Sequence, residues 1–157
     1  MSDLILARAL HVIGVVFWIG GVAMVTTVLL PTVKAFKSPA ERVDFFEAVE
    51  ARFASQARWS TLLVGATGFY MVYRFAMWER FLTLHWWWMH AMVTVWLFFS
   101  LMLWVLEPLW LHKVIHERAA RDPEGTFRRV TRLHVFLLTL SLITIAGAVA
   151  GAHGWLF

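Results

Sequence analysis

A histidine inside an apolar run is the first residue that could do chemistry. The stretch Leu10-His11-Val12-Ile13-Gly14-Val15-Val16-Phe17-Trp18-Ile19-Gly20-Gly21 sets one imidazole in a segment expected to cross a bilayer. An ionisable side chain at that depth is costly, so it marks a candidate functional site. At about 100° per residue, Gly14, Trp18, Gly21 and Val25 fall within roughly a quarter-turn of His11. That face has a ligand atom, a flat aromatic wall and two notches without a side chain. A planar cofactor needs such a face. So does a second helix packing closely through its glycines.

Six further histidines follow, and depth in the apolar runs sorts them. His11, His85, His90 and His153 fall at the outer ends; His112, His116 and His134 fall at the inner ends. His90 and His112 lie about 33 Å apart along a helix, too far to serve one metal. His90 lies about a turn inside the third run, with Trp86 on its face. His85 points away and is expected to be wet. Imidazoles from two facing helices can take both axial positions of a haem iron, and bundle cores host cofactors in this way. His11 and His90 are the expected axial pair for haem b. His153 is the substitute ligand or a propionate partner. Arg8, one turn above His11, and Arg74 are the cations that could pair with a carboxylate there. In the inner set, His112 and His116 share a face at i and i+4 and could chelate a divalent ion, with His134 and Glu107 adding ligands. The plainer reading makes them wet imidazoles on a helical extension.

The elements that must position these residues are helices in a membrane. The chain has 157 residues, 61% of them apolar, and 10 tryptophans, with a mean hydropathy of +0.69; an average soluble domain is only about half apolar. Four runs of spanning length are expected near residues 4–30, 59–78, 86–106 and 133–152. They are continuous rather than alternating, which excludes a barrel. The fold expected is an all-α, four-helix transmembrane bundle forming one integral membrane domain over residues 1–157. The first run is too long for a cleavable signal and lacks a basic leader. The chain has no cysteine, so disulfides and thiolate metal sites are excluded.

Connections carry further signals. The first span is expected to end near Pro31. Ser38-Pro39-Ala40-Glu41 reads as a capping box with proline at the first helical position. Val43, Phe46, Val49 and Phe53, with acids between them, predict an amphipathic helix on the inner surface that runs into the second span. Glu107-Pro108 closes the third span, and Asp122-Pro123-Glu124-Gly125 is a turn. Gly147 and Gly151 form a small-xxx-small pair suited to a partner helix or a flat ligand, and make a homodimer plausible. Eleven cations flank the inner ends against only Arg8, Arg74 and Arg80 outside. That bias predicts a plasma (inner) membrane protein of a bacterium with both termini periplasmic. Cations set beside spans argue against a nucleic-acid partner. Hydrolase and nucleotide chemistry find no motif.

His11 with Trp18 and Gly21, together with Trp88-Met89-His90 opening the third span, resemble the copper-resistance protein D (CopD) superfamily and the related HemJ-type protoporphyrinogen oxidases. The resemblance covers the first and third spans and, roughly, the four-span plan. It implies a polytopic inner-membrane protein. For the HemJ-type branch it implies haem b and electron transfer to the quinone pool, and for the other branch copper handling. The HemJ-type pattern continues as His-x-Lys where this chain reads His90-Ala91-Met92, so the fold and the two histidines carry over and the specific reaction does not.

Three readings compete. The first is a haem b electron-transfer protein or membrane oxidoreductase, with quinone or another redox partner. The second is copper transport or resistance, since Met77, Met89 and Met92 lie near His85, His90 and His11 and thioether suits Cu(I); methionine also fills apolar gaps. The third is a small non-catalytic membrane subunit whose histidines satisfy structural bonds.

Overall fold

The computed structural model describes residues 2–155; the side chain of His112 lies outside what is described. Among the described residues every regular element is helical. Helix α1 (Ser2–Met24) passes through a π-helical turn (Val25–Leu29) into α2 (Leu30–Phe36). After a short turn, α3 (Arg42–Arg74) runs back. Two 3-10 segments, Met77–Leu82 and Leu84–Trp86, lead into α4 (Trp87–Leu101). A ten-residue π segment (Met102–Leu111) joins α4 to α5 (His112–Arg121), and α6 (Pro123–Ala152) completes the chain.

Three helical stretches are long and apolar enough to cross a membrane: Ser2–Phe36, Leu84–Leu111 and Pro123–Ala152. Only 33%, 22% and 33% of their most apolar windows are buried inside the protein. The remaining apolar surface, including Val16, Phe17, Leu97, Phe136 and Ile143, needs lipid as its solvent.

Helix α3 does not meet that apolar standard, yet it lies antiparallel along α1. Asp3 meets Tyr70 and Arg74, His11 meets Val64 and Thr67, and Gln56 reaches the Phe17 carbonyl. At 33 residues, α3 is about 50 Å long and exceeds the hydrocarbon thickness of about 30 Å. The bundle accordingly has two main cores. One holds Trp18, Ile19, Val22, Val64, Val95, Phe99, Leu137 and Leu138. The other forms a cap at the pole away from Ser2 and holds Val25, Leu30, Val33, Val43, Phe46 and Phe127.

Several boundaries differ from those expected. Pro31 does not end the first helix. Leu30 N–H bonds the Val25 carbonyl five residues back, and this wide turn relieves the clash of the Pro31 ring with the preceding turn, so helix resumes to Phe36. Pro108 lies inside helix, which continues past it as expected. The amphipathic segment and the run expected as the second span are one helix beginning at Arg42, not at Pro39. The capping box is half made: Ser38 N–H and hydroxyl both donate to Glu41 Oε2, in the turn before the helix.

Pro108 leaves a carbonyl that another helix satisfies. In a π ladder its missing N–H would have served Leu103. Arg58 of α3 donates Nε to that Leu103 carbonyl at 3.0 Å and Nη2 to Glu107 Oε1 at 3.1 Å. One guanidinium thus ties α3 to the irregular stretch that follows α4.

Candidate functional site

His11 projects from α1 onto α3. Its Nδ1 lies 3.1 Å from the Val64 carbonyl and 3.1 Å from Thr67 Oγ1. A carbonyl only accepts, so Nδ1 carries the proton. The Thr67 hydroxyl donates to the Leu63 carbonyl and can accept from His11 at the same time. In the neutral ring Nε2 then keeps the lone pair, and it has no hydrogen-bond partner among the described residues. A metal-ligating imidazole is oriented in this manner, by an outer hydrogen bond from the other nitrogen. Gly68 lets α3 approach: a Cβ there would meet the His11 ring edge.

Two turns further along α1, Trp18 is buried against the edge of Phe99, with ring centroids 5.1 Å apart. Its indole Nε1 has no hydrogen-bond partner among the described residues. An orphaned donor at that depth costs about 1–3 kcal/mol. Helix α1 therefore carries two unmatched nitrogens seven residues apart, one acceptor and one donor.

The glycine notches face helices rather than open space. A Cβ on Gly14 would strike Val64, one on Gly21 the Phe53 ring, one on Gly147 Trp87 and one on Gly151 Trp88. The Gly147–Gly151 stripe, expected to serve a homodimer or a ligand, is thus filled by α4 of the same chain.

His90 differs from His11. Its Nδ1 lies 3.2 Å from the Trp86 carbonyl and its Nε2 3.1 Å from the Phe81 carbonyl, with the Phe81 ring against its face. Both nitrogens face carbonyl oxygens, of which a neutral ring can donate to only one, and the other carbonyl stands where a metal on that nitrogen would have to sit. His153 closes α6, exposed, with Nδ1 on the Val149 carbonyl at 2.8 Å. Trp86 meets Trp88 edge to face and lies under the Arg80 guanidinium. Arg8 is exposed. Arg74 pairs with Asp3, and Tyr70 donates to the same carboxylate at 2.8 Å. Met89 is buried beside Trp88 and Val72, with Met77 and Met92 packed on that cluster, so the methionines fill apolar space. Among the described residues, no three His, Asp or Glu side chains converge as metal ligands.

A groove of about 400 Å³ lies between α1 and α3 beside His11, lined by Leu6, Ala7, Leu10, Ala66 and Thr67, with Asp3 and Tyr70 at its rim. The volume falls in the range of cofactor sites. Haem b fits this arrangement in part. The groove is apolar, His11 lies next to it by contact with Thr67 without lining it, and Arg74 pairs with Asp3 at its rim. Ligation through His90 as well would require its ring to leave the Trp86 or the Phe81 carbonyl.

At the opposite pole the inner histidines find carboxylates instead of one another. Asp44, Glu47 and Glu50 recur every three residues along α3. His116 of α5 contacts Glu47 through Nε2 and lies 3.6 Å from Asp44 through Nδ1. His134 of α6 donates Nδ1–H to the Val130 carbonyl at 2.9 Å and places Nε2 3.6 Å from Glu50. Its ring meets the Phe46 edge. A recess of about 80 Å³ lies among Glu47, Glu50, Glu107, Ala51, Leu111 and Ile115. His116 and His134 thus sit on separate carboxylates, and the His112 side chain lies outside the described residues. Sequence reasoning missed Asp3, Thr67 and Arg58. Thr67 and Asp3 needed the α1–α3 register, whereas Arg58 could be suspected as a cation at membrane depth.

Comparison with protein-family models, with curated proteins and with solved structures finds no match.

Proposed function

We propose that the protein is a four-span membrane protein that binds haem b through His11 in the groove between α1 and α3, in an electron-transfer role. What carries this reading is the state of His11: a membrane-depth imidazole with Nδ1 committed to Val64 and Thr67 and Nε2 unmatched. Trp18 Nε1, buried without a partner on the same helix, supports a bound group in this half of the bundle. Haem iron supplies one-electron transfer when bound. Val64 and Thr67 would fix the His11 ring, Leu6, Ala7 and Leu10 would exclude water, and Arg74 would meet a carboxylate at the rim. Quinone is the partner in keeping with a groove of this apolar character.

The fourth span in this reading is the Trp59–Arg74 part of α3. Its hydroxyls are hidden, since Ser60, Thr61 and Thr67 each bond a carbonyl one turn back in their own helix. The cation-rich pole faces the cytoplasm by the positive-inside rule, and Ser2 and Ala152 lie on the periplasmic side of a bacterial inner membrane.

A second reading, a non-catalytic membrane subunit, has its own support in the filled notches at Gly14, Gly21, Gly147 and Gly151 and in the carbonyl bonds of His90, His134 and His153. Purification from haem-replete cells separates the two. The haem reading expects a Soret band and stoichiometric haem b; a colourless protein of full stability favours the subunit. Copper retained through dialysis without haem would favour the metal-handling branch instead.

A further inference from the structure

Charge at the cap pole is segregated. Most acids are already engaged: Asp44, Glu47 and Glu50 lie against His116 and His134, Glu107 takes Arg58, Glu117 pairs with Lys113, and Asp122 caps Gly125 N–H at 2.8 Å; Glu124, exposed one turn before Arg128, is the exception. The arginines of α6 point outward. Arg128, Arg129 and Arg132 are all exposed, and among the described residues no carboxylate pairs with any of them. Arg128 and Arg132 are one helical turn apart and share a face. Immediately after them α6 exposes Leu133, Val135 and Phe136, a surface that only lipid tails can cover. The cationic turn therefore sits where α6 leaves the hydrocarbon, at headgroup depth.

We propose that Arg128, Arg129 and Arg132 form a binding site for the phosphate headgroup of an anionic phospholipid, whose acyl chains lie on Leu133 and Phe136. Charge and apolar surface are both required, and they are contiguous on one helix. Guanidinium suits the task, because its planar fork meets phosphate oxygens two at a time. Each basic side chain near an anionic membrane surface adds to the attraction, less so as salt screens it. Exposed Arg118 and Arg121, at the end of α5 that turns into α6, extend the positive field. This inference rests on the membrane reading and not on haem, so a colourless protein leaves it standing.

The test uses the full chain in mild detergent. Phosphatidylglycerol and phosphatidylcholine of equal chain length are titrated, with bound lipid counted by native mass spectrometry. Phosphatidylglycerol should bind at least about tenfold more tightly, and R128Q/R129Q/R132Q should lose about that factor for phosphatidylglycerol alone. R132Q by itself should lose a few-fold, which keeps the test open if the triple variant folds poorly. Equal binding of the two lipids, or unchanged phosphatidylglycerol binding in the variants, overturns the proposal. Displacement of the lipid by inorganic phosphate at the same concentration also overturns it, in favour of a plain anion site.

Discussion

Arg58 holds two acceptors on one guanidinium, and one of them exists because a proline stands five residues further on. Removing Arg58 leaves the Leu103 carbonyl without a donor inside the bundle, at a cost of about 1–3 kcal/mol. Pro108→Ala restores a backbone donor, so the cost of Arg58→Ala should fall by about 1 kcal/mol in that background. A double-mutant cycle on unfolding in detergent checks this; equal costs in both backgrounds would contradict it. Glu41 offers a pH prediction. Hydrogen bonds from the Ser38 hydroxyl and then its backbone N–H hold the Glu41 carboxyl below its ordinary range. The folded value is the depressed one, so this stabilisation is present above the unfolded value and is lost as pH falls through the folded one. Ser38→Ala should move the Glu41 titration, followed by carbon NMR, back up toward the ordinary value. The chemistry of His11 was legible at this scale, because a lone imidazole in an apolar run has few inexpensive positions. Its partner was not, since any of three helices could have faced it, and Thr67 carries no mark in the sequence that separates it from other hydroxyls.

Glycines decide how closely the elements approach, and they are not equivalent. A Cβ on Gly151 would clash with the ring of Trp88, which is only 4% exposed. Gly151→Ala should therefore cost about 1–3 kcal/mol. Gly20 has nothing within reach, so Gly20→Ala should be neutral or gain up to about 1 kcal/mol from helix propensity. Thermal unfolding of the two variants side by side checks the contrast. Ala76, which ends the turn after α3, adopts φ 51°, a left-handed conformation costing a β-carbon roughly 1–2 kcal/mol. Ala76→Gly should raise stability by relieving it. Element existence was readable from the apolar runs, whereas their ends were not. Pro31 looks like a stop, yet helix resumes through it after a π-helical turn, and Pro108 lies inside a π-helical stretch; local pattern announces neither irregularity. The acidic and apolar alternation from Val43 to Phe53 did announce one face packed and one charged, and that face is where His116 and His134 land.

The whole molecule is a bundle longer than a bilayer is thick, with an apolar outer surface for lipid to solvate and a capped pole. If α3 spans, Ser38 and Thr83 lie on opposite sides of the membrane. The natural chain has no cysteine, so Ser38→Cys and Thr83→Cys can each be probed with a membrane-impermeant thiol reagent in intact cells. Labelling at Thr83 alone is expected; labelling of both, or of Ser38 alone, would overturn the four-span orientation. The apolar excess and the cation bias made the membrane character legible before any coordinates. The α1–α3 groove was not, because a recess depends on the register between two helices far apart in sequence. The most direct measurement is the reduced-minus-oxidised absorption spectrum of the purified protein alongside His11→Ala and His90→Ala. A b-type spectrum that disappears in His11→Ala and survives in His90→Ala is the predicted result. A spectrum that survives the loss of His11, or no haem bands in any of the three, would contradict it.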